Sequence, residues 1–133
     1  MTMGFAVSLR NARLNQITAA IDAGPGAGII RVYNGARPAT GGAVTTLLAE
    51  LTCTDPSAPA ASAGVLTLSA INSDPTANAT GTATWARVVD STGTFVLDMS
   101  VGTSGADLNL NTVDVVAGVA VEITSAVITG GNP

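Results

Sequence analysis

The stretch from Gly81 to Met99 constrains the fold more than any other part of the chain. Two runs rich in Thr, Val and aromatic residues flank Asp90-Ser91-Thr92-Gly93. Asp and Ser side chains bond their own backbone where turns start, and Gly tolerates the positive φ that closes them. The stretch therefore predicts a β-hairpin. It holds Trp85, the single Trp, and Phe95, one of two Phe. With aromatic residues at 3% of the chain, few large side chains exist to seed a core. The hairpin is expected at the centre of a sandwich, with Trp85 buried against Phe95 or against the strand carrying Leu66 and Leu68.

The rest of the chain reads as elements laid around that hairpin. Residues 1–7 predict a short extended arm. Ser8 is a candidate N-cap for a helix over Leu9–Ala23, since Leu14, Ile17 and Ile21 share one face at i, i+3 and i+7. Arg10, Arg13, Asn11 and Gln16 fall largely on other faces; the two Arg stand at the wrong end for the helix macrodipole, which points to a partner for them, the alternative being that they are solvated. Gly24-Pro25-Gly26 stops the helix. Strands follow at Ile29–Tyr33, Val44–Thr52 and Val65–Ile71. In the second of these Leu47, Ala49, Leu51 and Cys53 are expected to face inward. After the hairpin, one or two short strands lie within Asp107–Val116. A last one spans Val119–Thr129, with Val119, Val121, Ile123, Ser125 and Val127 on one face.

Seven or eight short strands after one helix, separated by Gly-, Pro- and Asn-rich connections, predict a mainly β fold. Two prolines in Asp55–Ser62 deny ladder donors, which favours crossing connections over hairpins. The expected architecture is an antiparallel β-sandwich of jelly-roll or Greek-key type with one N-terminal α-helix. The 133 residues fit a single domain, with an arm and helix over 1–27 and a sandwich over 28–130.

Charge narrows the function classes. All five cations are Arg, there is no Lys or His, and the net charge is −4. A nucleic-acid partner calls for a basic patch that displaces counterions, and five scattered Arg against nine acids do not form one; an anionic membrane would repel the chain. No apolar run approaches the roughly 20 residues of a spanning helix. The first residues lack the basic and long apolar regions of a secretion signal, so synthesis in a reducing cytoplasm is expected.

The same inventory is poor in chemistry. Without His or Lys, most acid–base and nucleophile-activation schemes are missing. Cys53 sits at an inward strand position, where free Cys behaves as a small hydrophobe. Asp90, Asp98, Asp107 and Asp114 are the remaining candidates for a carboxylate pair of the glycosidase kind, but one Trp and one Tyr are a thin supply of sugar platforms. Asp107-Leu108-Asn109-Leu110-Asn111 opens like a calcium loop. The match fails at Thr112, where Gly is needed, and at Gly118, where a bidentate Glu is needed. The expectation is no enzyme, no catalytic residue, no metal and no cofactor.

Four runs carry a resemblance: Ser8–Leu14, Tyr33–Pro38, Gly81–Arg87 and Val101–Leu110. Together they resemble small proteins encoded among the head genes of tailed bacteriophages and prophages, over nearly the whole chain. The resemblance implies a structural virion protein, a capsid decoration or cement protein that binds the outer shell as a dimer or trimer. Its implied partner is the major capsid protein, and its implied location is the virion surface after synthesis in the bacterial host. The alternatives are a carbohydrate- or host-binding module of a tail fibre or adhesin, and a tail-tube or head–tail connector component. The expected interface lies in the N-terminal segment, at Phe5, Val7, Arg10 and Arg13.

Overall fold

The computed structural model of the protein describes residues 4–130. One helix, α1 (Val7–Ile21), precedes nine strands: β1 (Ile29–Tyr33), β2 (Leu47–Thr52), β3 (Val65–Thr67), β4 (Gly81–Thr82), β5 (Trp85–Val89), β6 (Phe95–Gly102), β7 (Leu108–Leu110), β8 (Asp114–Val115) and β9 (Ile123–Thr129). Seven strands form one curled sheet in the order β2-β1-β5-β6-β7-β9-β3, and β4 pairs with β8 apart from it. The fold is mainly β with one helix, as expected. The sheet is mixed where an antiparallel one was expected, because β6 and β7 run parallel. β7 is three residues long, so the short turn at 103–107 suffices to bring the chain back beside β6.

The hairpin is present and central. β5 and β6 pair antiparallel, Trp85 opposite Ser100 and Arg87 opposite Asp98. Asp90 closes the turn: its Oδ1 accepts from the backbone N–H groups of Thr92 at 2.9 Å and Thr94 at 3.0 Å and from the Thr92 hydroxyl at 2.7 Å. Gly93 takes φ +89°, which an L side chain disfavours. The hairpin starts later than expected. Gly81 and Thr82 leave it to pair with Val115 and Asp114.

Three one-residue bulges curl the sheet. The ladders skip Leu48 opposite β1, Val96 opposite β5 and Thr124 opposite β7. A bulge bends its strand and raises the local twist, and it moves every later side chain to the other face. Leu48 and Ala49 are consequently both fully buried. In β9 the inward residues become Ala126 and Ile128, packed with the core, while Ser125, expected inward, is exposed.

The free edge of β2 is covered by 72–79. The N–H groups of Asn72 and Asn78 donate to Thr52 O and Leu48 O at 2.9 and 2.7 Å, and Glu50 N–H donates to the Asp74 carboxylate at 2.9 Å. Asp74 in turn bridges to Val121. A covered edge removes a template for pairing with other chains.

α1 begins two residues before its expected start. Ala6 is the N-cap, without a side-chain cap bond, and Ser8 lies inside the first turn. Val7 is thus helical, and the expected arm shrinks to residues before it, of which 1–3 lie outside the described residues. Leu14 and Ile21 are buried in the same core as Ile30, Leu66 and Met99, with Ile17 packed beside them. The helix is also tied by polar side chains off its apolar face. Asn11 Oδ1 accepts from Gly64 N–H at 2.9 Å, Asn15 Oδ1 from Ala61 N–H at 2.8 Å, and the Asp22 carboxylate from Ser57 N–H at 2.9 Å. Ser62 and Val65 flank a two-residue turn in which Ala63 and Gly64 have φ +52° and +74°, the positive φ pair of a tight hairpin turn. Gly28 lets the end of α1 approach: a Cβ there would lie 2.3 Å from Ile21 Cγ2 and 2.9 Å from Ile21 O.

Candidate functional site

Two places concentrate functional side chains. The first is the outer face of β1, β5 and β6. Trp85 is 1% exposed, but it lies outside the main core, on the opposite face of the sheet from Ala86 and Val88. Its ring stacks on Tyr33 with centroids 4.5 Å apart and planes at 17°, not on Phe95 or on the strand of Leu66 as expected. Its indole N–H reaches Asn34 O and Thr45 Oγ1, each at 3.1 Å, and so holds down the 34–46 connection. The Arg87 guanidinium lies over Trp85 at 5.3 Å and over Phe95 at 5.0 Å. Its edge grips Asp98 with Nε to Oδ1 at 2.7 Å and Nη2 to Oδ2 at 3.1 Å. Tyr33, Trp85, Arg87 and Phe95 thus form one stacked row.

Burial pushes the Asp98 carboxyl upward, but hydrogen bonds from Arg87 and Gly41 N–H and the charges of Arg87 and Arg37 outweigh it. The group stays below the usual carboxylate range. Asp98 returns the favour: its hydrogen bond raises the Arg87 pKa. A two-donor fork on a shielded carboxylate is a strong, directional contact. Of the other carboxylates considered for chemistry, Asp90 and Asp107 are also hydrogen-bonded. Asp90 is held low by the Thr92 hydroxyl first and by backbone N–H groups of its turn. Asp107 accepts from Ser100 N–H and Oγ. In the calcium-like run, Asn109 bonds Ala106 and Ser125 Oγ, and Asn111 Oδ1 accepts from Glu122 N–H. These side chains fasten the β6–β7 turn to β9. Among the described residues no group of three or more His, Cys, Asp or Glu side chains converges on a point, and no helix is long and apolar enough to cross a membrane.

Cys53 is buried, and burial together with the nearby Asp22 charge pushes its thiol up to about 11. A thiol so protonated is a poor nucleophile.

The second place is a groove of about 370 Å³ between α1 and the end of β9, lined by Arg10, Arg13, Leu14, Ile17, Ile128, Thr129 and Gly130. Two of the four expected interface residues, Arg10 and Arg13, line it, and the Arg13 guanidinium lies over the ring of a third, Phe5, at 5.0 Å. Val7, 46% exposed, opens the helix and is not in the lining. Leu9, 47% exposed, stands one turn before Arg13, where i and i+4 side chains are neighbours; sequence reading passed over it. Also passed over were Asn11 and Asn15, whose roles depend on a turn more than 40 residues away. Arg87–Asp98 was out of reach as well: counting back from the turn places Arg87 opposite Leu97, and only the skipped Val96 brings Asp98 across from it.

Comparison with protein-family models, curated proteins and solved structures returned no match.

Proposed function

We propose that this chain is a structural virion protein that binds and stabilises the outer surface of a phage capsid, acting as a decoration or cement protein and as a dimer or trimer. The observation that carries the reading is the exposed first turn of α1. Val7 and Leu9 are about half exposed there, on a helix that polar anchors and buried Leu14 hold rigidly to the sheet. Residues two apart on a helix face different ways, so the pair leaves apolar surface on two sides of the first turn, which cover by a partner would remove. A rigid body with a covered sheet edge suits a part that must join a lattice without aggregating. In this reading the curled sheet is a distorted sandwich of jelly-roll or Greek-key type, its two ends drawn together by 72–79. The host-binding alternative gains little from the aromatic row, since Tyr33 and Trp85 are 4% and 1% exposed and offer no ring platform.

The test is co-sedimentation of the purified chain with phage heads assembled without it. Stoichiometric, saturable binding that makes heads more resistant to heat or chelator supports the proposal. A chain that stays in the supernatant contradicts it.

A further inference from the structure

We propose that the groove between α1 and the end of β9 binds an acidic peptide segment of a partner protein, with a carboxylate side chain between Arg10 and Arg13 and a neighbouring aliphatic side chain on the apolar floor. Leu14, Ile17 and Ile128 form that floor. A volume of about 370 Å³ is in the range of small ligand sites.

The charges around it are one-sided. The chain carries net −4, yet α1 holds two Arg and no acid along Val7–Ile21. The ion pairs among the described residues are Arg31–Glu50 and Arg87–Asp98; neither Arg10 nor Arg13 has a carboxylate within reach there. Arg10 is nevertheless held in place. Its guanidinium lies on Gly64, where a Cβ would come within 2.7 Å of Nη1, and Nη1 donates to Gly130 O at 3.3 Å. Its Nε is buried with no hydrogen-bond partner. Buried donors are nearly always paired, so this is an arginine fixed in position with a donor unspent. Arg13 stacks a face of its guanidinium on Phe5, which leaves the edge donors available, and the arginine edge matches a carboxylate with two parallel bonds.

Charge complementarity thus selects an acidic occupant, and the floor selects one with aliphatic neighbours. A phosphodiester backbone would leave the floor bare and meet a net-negative protein. The inference rests on the virion reading only for the source of the peptide, so the groove can be tested without a particle.

The experiment is a titration of the 15N-labelled full chain with acetyl-Ser-Leu-Asp-Leu-Ser-amide and with the counterpart bearing Asn for Asp. Saturable shifts confined to residues 10–17 and 128–130 are expected. Binding should weaken tenfold or more with the Asn peptide, with Arg13→Gln, and in high salt. Arg13 is exposed, so Arg13→Gln should fold; Arg10→Gln is the second variant, used with a melting control. Equal binding of both peptides overturns the inference. So do the same shifts from inorganic phosphate at equal concentration, which indicate a simple anion site, and shifts that grow with protein concentration alone, which indicate a second copy. Heads assembled without the chain separate the two proposals. If the wild-type chain does not bind them, the virion reading falls and the peptide titration still decides the groove. If wild type and Arg13→Gln bind them equally, the groove's role in particle binding falls alone.

Discussion

Arg87 and Asp98 face each other across the central hairpin and close a two-point ion pair of 2.7 and 3.1 Å whose side chains are only 10% and 5% exposed. The Asp98 carboxylate also accepts from Gly41 N–H at 3.1 Å. One carboxylate thereby fastens the 34–46 connection to the sheet.

Removing one partner of this pair is expected to cost more than the pair contributes, because the other charge is left shielded from water and unpaired. Arg87→Met should destabilise the fold by about 3 kcal/mol, measured as a shifted urea midpoint at constant m. Arg87→Met combined with Asp98→Asn should recover part of that loss.

The acid limb of stability follows from Asp90 and Asp98. Both carboxyls lie below their ordinary value in the folded chain. Their contribution is therefore whole above the unfolded carboxylate range, near pH 4, and is lost as pH falls through the folded values. Asp98→Asn should flatten the decline in denaturation midpoint below about pH 4; an unchanged slope would contradict the assignment.

The alkaline limb follows from Cys53. Its thiol rises from 9.0 to about 11 on folding, so the unfolded chain releases that proton first. Stability is whole below pH 9 and declines by about 2–3 kcal/mol by pH 11. Cys53→Ala should remove this decline, and Cys53→Ser should still fold with a modest cost for a hydroxyl in an apolar site. In the wild type, thiol reagents at neutral pH should react only on unfolding.

Trp85 should emit at short wavelength and resist quenchers, as its 1% exposure requires. Trp85→Ala is expected to cost about 3–5 kcal/mol. Trp85→Phe keeps a ring against Tyr33 and loses the indole bonds to Asn34 and Thr45, which should cost about 1 kcal/mol and loosen 34–46 in hydrogen exchange.

Much of this fold was legible from local chemistry. The Asp90–Gly93 turn, strand Ile29–Tyr33 and the Leu14–Ile21 face of α1 all express short-range rules, and each is found where those rules put it. In β2, Ala49, Leu51 and Cys53 are buried as expected and only Leu48, at the bulge, departs from the alternation; the inward face of β9 beyond Thr124 was not legible, because the bulge there reverses a strict alternation and nothing in the residue types marks it. Arg10 and Arg13 stood out as two cations at the wrong end of a helix, but their meeting with Thr129 and Gly130 depends on the path of the whole sheet. The surroundings of Trp85 depend likewise on the connection carrying Asn34 and Thr45 folding back over the outer face.

The most direct measurement of the proposed function is cryo-electron microscopy of phage heads mixed with this chain. The expected result is density for the curled sheet on the outer capsid surface, in dimers or trimers, with α1 and the Arg10–Arg13 groove turned toward the shell. Heads without such density, or copies on the capsid whose α1 faces solvent, would contradict it.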